Sequence, residues 1–160
     1  MLDFRLETIV EVSLASVSGD FSEWFDSDNC EILFVNSSGI NKSEYFDFLE
    51  GEIIVFQYKT TSYRSIITNQ RVLSLKNGKI ESLMLGEIKK VNKPKQFYMI
   101  DGEIKEFPLI KHVIIESNDG KTINLNAENS VSLYFIRILV SNLFFVKTKG
   151  KYYYLPNKYR

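Results

Sequence analysis

The densest concentration of like charge in the chain is Lys89-Lys90-Val-Asn-Lys93-Pro-Lys95. Ammonium groups at this spacing can surround an anion, whether a phosphate, a carboxylate or the headgroups of an acidic membrane. Lys59, Arg64, Arg71, Lys76 and Lys79 stand on neighbouring segments. The candidate anion-binding set is therefore Lys89, Lys90, Lys93 and Lys95 with Arg71. At about 1 kcal/mol per lysine near an anionic surface, the lysine run contributes about 4 kcal/mol, equivalent to about millimolar binding. Such a run does not anchor a protein by itself.

Catalysis and metal binding need groups of recognisable kind that converge in space. His112 is the only histidine; it precedes the apolar Val113-Ile-Ile115 with no nucleophile or ligand at useful spacing, and reads as a structural or surface residue. Cys30 is the only cysteine, which excludes an intramolecular disulfide and a multi-cysteine zinc cluster and fits a reducing compartment. Standing before Glu31-Ile-Leu-Phe-Val35, it reads as a small core residue. Asp26-x-Asp28 starts like a calcium loop, but the glycine and closing glutamate of that loop are missing. No phosphate-binding glycine loop is present, and the sequons at Asn36 and Asn41 carry weight only in a secreted chain. No catalytic residue, metal or cofactor is expected. An enzyme would require Asp101, Glu103 and Glu106 to meet around a metal.

Composition describes a folded chain of 160 residues, 44% hydrophobic and 25% charged, long enough to build a core without disulfides. The net charge is zero, yet residues 1–60 hold twelve acids and three bases while residues 61–160 hold eight acids and seventeen bases. The two parts therefore carry −9 and +9, which suggests two surfaces with different tasks. Asp3, Glu7 and Glu11 stand where an export signal would carry a basic start and an unbroken apolar run. The most apolar window, 131–146, includes Ser132, Arg137, Ser141 and Asn142 and is too short for a membrane span. A cytoplasmic protein is expected, with a peripheral place at the inner face of the membrane as the alternative.

Elements that would position these residues follow from periodicity. Val10, Val12 and Leu14 alternate with polar or small residues and predict a first strand. Glu31 to Val35 predicts a second, and Glu44 to Leu49 a short helix carrying Tyr45, Phe46, Phe48 and Leu49. Beyond Gly51 come closely spaced strands: Glu52 to Tyr58, Tyr63 to Thr68, Arg71 to Lys76, Lys79 to Leu85, Ile88 to Val91, Gln96 to Ile100, Glu103 to Phe107, His112 to Ser117 and Lys121 to Leu125. Asn77-Gly78 and Asp101-Gly102 suit two-residue type I′ turns, and Asn118-Asp-Gly120 suits a longer one. Asn126 is a candidate N-cap for a helix in which Val131, Tyr134, Phe135, Ile138, Leu139 and Asn142 fall at helical spacing. Leu133, Ile136, Val140, Leu143 and Phe144 make its flanks apolar too, so a second surface must cover it. That surface is either the acidic N-terminal segment, with Trp24, Phe25, Phe46 and Phe48, or a second copy of the chain.

Ile67-Thr-Asn-Gln-Arg71, Val72-Leu-Ser-Leu75, Asn77-Gly78, Ser82-Leu-Met-Leu85 and Glu87-Ile88 together resemble bacterial pleckstrin-homology-like and GRAM-type domains. The resemblance covers one domain. It implies a mainly β fold: a strongly bent antiparallel sheet or partly open barrel of seven strands, closed by a C-terminal α-helix. The expected organisation is an acidic α+β N-terminal extension over 1–46, the pleckstrin-homology-like domain over 47–146, and a basic, tyrosine-rich tail over 147–160. By analogy with that family, basic loops at the open end of the barrel would hold phosphorylated headgroups.

Fold does not dictate function. A non-enzymatic interaction module with a protein partner or a homodimer is the first expectation. A peripheral binder of anionic lipid or a phosphate ligand is the second, and a small inhibitor or immunity-type protein with an acidic surface the third. The tail Lys147 to Arg160 suits anionic surfaces or stacking on single-stranded nucleic acid, but its first expectation is structural: Lys151 to Leu155 adding an edge strand or packing its tyrosines against the N-terminal segment. Nucleic acid is not the expected partner.

Overall fold

A computed structural model of the chain describes residues 4–17, 30–32, 46–92, 97–100, 103–106, 112–128 and 130–160. The fold is mainly antiparallel β with a long C-terminal helix. Its elements are α1 (Leu6–Ala15), β1 (Cys30–Ile32), β2 (Ile54–Lys59), β3 (Tyr63–Thr68), β4 (Arg71–Lys76), β5 (Lys79–Met84), a 3-10 turn (Leu85–Glu87), β6 (Ile88–Val91), β7 (Phe97–Ile100), β8 (Glu103–Glu106), β9 (His112–Ser117), β10 (Thr122–Asn126) and α2 (Ser130–Lys149), followed by a short 3-10 turn (Asn157–Tyr159). Strands β1 to β5 form one sheet in chain order, β10-β9-β6 a second, and β7 pairs with β8 in a third. These are open sheets, and no closed barrel exists among the described residues.

Turn chemistry sets the register. Asn77 and Gly78 hold φ of 54° and 73°, the left-handed pair that a type I′ turn demands, and the turn joins Lys76 to its partner Lys79. Gly120 sits at φ 86° in the β9–β10 connection. Ile100 pairs with Glu103; the expected Asp101-Gly102 turn lies outside the described residues. In β9 buried and half-buried residues alternate strictly. In β2 five consecutive residues are buried, because both faces of that strand are covered. One face joins the main core, where Phe56 meets Phe135 of α2 edge-on at 5.1 Å. The other carries a smaller cluster of Ile54, Ile66 and Leu73 beneath Phe46 and Phe48.

Residues 6–15 form a helix, not the strand that the Val10, Val12, Leu14 alternation predicts. The competing pattern is Leu6, Ile9, Val10, Ser13 and Val17, which recurs at three and four residues; Ser13 at a core position disguises it in the sequence. The Ser13 hydroxyl donates to the Ile9 carbonyl at 2.7 Å and accepts from Asn142 Nδ2 of α2 at 3.0 Å. Asn142 Oδ1 in turn accepts the Tyr154 N–H at 2.9 Å. Asn142 is fully buried, so this relay satisfies its polar atoms while tying α1, α2 and the C-terminal tail together.

Helix α2 is thus covered on two sides. Leu133, Phe135, Ile136, Leu139, Val140 and Leu143 share one continuous core with the sheets and with Ile9, Val10 and Val12 of α1. Tyr152 of the tail joins that core, its ring 5.4 Å from that of Phe4. The tail therefore packs tyrosine against the N-terminal segment and adds no edge strand. Residues 46–49 carry no helix, unlike the expected Glu44–Leu49 helix, and Trp24 and Phe25 lie outside the described residues. Helix α2 starts at Ser130, and Asn126 ends β10 instead of capping the helix.

The helical reading of residues 6–15 makes a specific prediction. Ile9 would face outward in a strand defined by Val10 and Val12, but here it is 4% exposed. Ile9→Ala should cost about 2–4 kcal/mol in urea unfolding, against less than about 0.5 kcal/mol for exposed Glu11→Ala.

Candidate functional site

Strand β4 runs between two chemically different ends. At its start, Arg71 meets Glu52 in a two-pronged ion pair, Nε to Oε2 at 2.8 Å and Nη2 to Oε1 at 3.0 Å. The Glu52 side chain is completely shielded from solvent. Thr68 Oγ1 donates to the same carboxylate at 2.9 Å, and the Leu49 N–H at 3.1 Å. Arg71 Nη2 also donates to the Asp47 carbonyl at 2.7 Å, and the guanidinium lies over the Phe46 ring. Asn69 and Gln70 complete the clasp. Asn69 accepts from Ile53 N–H and donates to the Gly51 carbonyl; Gln70 donates to the Glu50 carbonyl at 2.7 Å. The Thr68-Asn-Gln-Arg71 motif is a latch holding residues 47–53 onto the sheet.

Burial alone would raise the Glu52 pKa, but the Arg71 hydrogen bond, the Leu49 N–H, the Thr68 hydroxyl and the Arg71 charge together hold it below the ordinary carboxylate range. Arg71, expected to meet an external anion, is thus engaged with an internal one.

The opposite end of β4 is open. Tyr63 pairs with Lys76, and Lys76 with Lys79, across the tip of β3, β4 and β5. Alternation puts these three on the concave face with Ser65, Ser74 and Glu81, and puts Lys59, Arg64, Leu75 and Ile80 on the convex face. A polar groove of about 730 Å³ continues the concave face outward, lined by Ser74, Lys76, Asn77, Lys79 and Glu81 on one wall and His112, Thr122, Asn124 and Asn126 on the other. Lys79 Nζ lies 3.2 Å from Glu81. Around the tip itself a hollow of about 600 Å³ is lined by residues of both faces, among them Thr60, Thr61, Ser62, Arg64, Lys76 and Ile80.

Where β10 crosses the concave face, the Ser65 hydroxyl accepts the Asn126 N–H at 2.7 Å and donates to the Asn126 carbonyl at 2.8 Å. Beside it the Tyr63 hydroxyl donates to Glu128 at 3.3 Å. Burial, reinforced by the charge of Glu128, keeps that phenol protonated well above its ordinary range. The groove thus offers hydroxyls, amides, an imidazole and ammonium groups that can hold an anionic or hydrogen-bonding ligand.

The expected lysine run lies elsewhere. Lys89 and Lys90 are exposed on β6, the edge of the second sheet opposite to β10. Lys89 Nζ is 3.9 Å from Glu116, and Lys90 is the ladder partner of Glu116. Lys93 and Lys95 lie outside the described residues, as do Cys30's side chain, Asp26, Asp28 and Asp101. Arg71 is engaged by Glu52 and the Asp47 carbonyl, Lys89 by Glu116. Lys76 and Lys79, by contrast, do meet. The groove residues that charge counting missed are Ser74, Thr122, Asn124 and Asn126; their signal was the polar row of the alternating Thr122-Ile-Asn-Leu-Asn126.

A third recess, about 430 Å³, lies between α1, α2 and the tail, lined by Ser16, Tyr134, Arg137, Ile138, Tyr153 and Tyr154. Arg137 Nη2 donates to the Tyr153 hydroxyl at 3.0 Å, while its Nε is buried without a partner.

Removing one half of a buried ion pair leaves the other uncompensated. Arg71→Met should therefore cost about 3–5 kcal/mol in urea unfolding, and the double variant Glu52→Leu with Arg71→Met should recover part of that loss. Because the folded-state pKa of Glu52 is depressed, its stabilisation is complete above the ordinary value of 4.5 and is lost as pH falls through the lower folded value. A Glu52→Gln variant should lose that part of the acid limb of the stability profile.

Compared with models of known protein families, with curated proteins and with solved structures, the chain gives no match.

Proposed function

We propose that this protein is a non-catalytic interaction module of pleckstrin-homology-like organisation, and that it takes a protein partner in the groove between the β4–β5 tip and β10. Support for that organisation comes from element order: the antiparallel meander β2 to β5, the sheet formed by β6, β9 and β10, and the closing helix α2 packed into the core between them. Strand β1 and the β7–β8 hairpin are additions to that plan.

The observation that carries the functional reading is the groove's composition. Its walls carry hydroxyl, amide and ammonium groups on two different sheets, a surface with many directional donors and more polar than apolar area, which favours selective rather than merely adhesive contact. Lys76 and Lys79 face Glu81 alone among acids of the groove wall, so the partner should present acidic or carbonyl-rich surface.

A second reading, an anionic headgroup or free phosphate, is favoured by one feature. Lys59 and Arg64 are ladder partners on the convex side of the same tip that carries Lys76 and Lys79 on the concave side.

A photo-cross-linking amino acid at Asn77, introduced in the living host, separates the two. A protein adduct that disappears in the Lys76→Glu, Lys79→Glu double variant supports the partner reading. Absence of such an adduct, together with co-sedimentation on phosphoinositide-containing vesicles that depends on Lys59 and Arg64, contradicts it and supports the headgroup.

A further inference from the structure

In an antiparallel ladder, residues that exchange main-chain hydrogen bonds with their partner alternate with residues whose N–H and C=O point away from it. The Ser117 N–H donates to the Lys121 carbonyl at 2.8 Å, which sets the phase for β9 and β10. Ile115 with Ile123 and Val113 with Leu125 are then the bonded pairs, and Thr122, Asn124 and Asn126 direct their main-chain groups away from β9. Two contacts agree with this phase. On the far side of β9, the Ile114 carbonyl accepts from the Asn92 N–H at 2.9 Å. On the near side, Ser65 bonds both main-chain groups of Asn126, standing where a neighbouring strand would stand.

No described strand pairs with this edge of β10, and beyond Asn126 the edge opens into the groove at Asn124 and Thr122. Both residues are exposed. An edge strand with outward main-chain groups is a template for another extended chain. We propose that the free edge of β10 at Thr122 and Asn124 takes an extended acidic segment of a partner protein as an added strand. This rests on the groove being the partner site and names how the partner enters it.

Charge selects the occupant. An added strand at this edge lies against the concave face, where one row of its side chains meets Lys76 and Lys79. Lys121, at the start of β10, sets a third ammonium nearby, its Nζ donating to the Ser82 carbonyl at 3.2 Å. Glu81, held by Lys79, is the acid on the groove wall with Lys76 and Lys79, while Asp119 lies beside Lys121. Acids at alternate positions of the incoming chain, all on one face, match that floor. Only two residues of β10 contribute free main-chain groups, so the interaction is short and reversible, and side-chain charge supplies much of its selectivity.

The test uses the full chain and a peptide of about ten residues that alternates glutamate with valine or threonine, with two further versions N-methylated on one or the other set of alternate amides. Strand addition predicts that amide exchange at Thr122 and Asn124 slows at least tenfold on saturation, that one methylation set weakens binding at least tenfold and the other less than twofold, and that Lys76→Glu with Lys79→Glu weakens it at least tenfold. Equal binding of both methylated peptides with the charge dependence intact overturns strand addition and leaves the groove reading standing. Binding insensitive to the charge reversal, or no binding, overturns both. Exchange at Thr122 and Asn124 already slow in the free protein would mean that the edge is covered, and would also overturn the proposal.

Discussion

Helix α2 constrains everything around it, because from Ser132 to Phe144 only Tyr134 and Arg137 are not buried, and a single open sheet can shield only one side of such a cylinder. The sheets cover one side, while α1 and the tail cover the other. Within this apolar contact sits one buried amide, Asn142. Its partners come from residues 129 positions earlier and 12 positions later in the chain, so the chain ends are held in one register by a requirement to satisfy a buried polar group. The N-terminal helix is accordingly part of the core of the β domain, whatever the remainder of the acidic segment does.

The two ends of β4 divide labour between stability and recognition. At Arg71 a shielded ion pair is surrounded by enough hydrogen bonds to offset desolvation, and it draws residues 47–53 across the sheet. At Lys76 the strand runs into a type I′ turn, and its lysine pair is left facing water and β10. The Thr68-Asn-Gln-Arg71 motif thus acts on the closed end, while the groove forms at the other. Arg71 commits Nε and Nη2 to Glu52 and the Asp47 carbonyl, and drawing it away from Glu52 would leave a carboxylate buried without its main partner.

Much of this was legible in the sequence. The turns Asn77-Gly78 and Asn118-Asp-Gly120 fix hairpins because their backbone conformations admit few residues, and strands between them follow from alternation. The first helix was misread because Ser13 breaks the apolar face, and its role as partner of Asn142 is a tertiary fact with no local signal. The basic run from Lys89 was conspicuous, yet Glu116 lies beside its described part on the adjacent strand, a cross-strand relation that linear charge counting does not see. The groove was least legible: its polar row alternates along β10 like any solvent-facing row, and the edge that matters is the one no other described strand reaches.

The central claim is that α1 and α2 belong to one cooperative core. Native-state hydrogen exchange of the full chain measures this directly. The account predicts that the amides of Val10 to Ser13 exchange with an opening free energy matching those of Leu139 to Leu143 and of the β3–β4 ladder. Exchange of α1 at a free energy several kcal/mol lower, with α2 still protected, would contradict it and show that the helix closes its second face by other means.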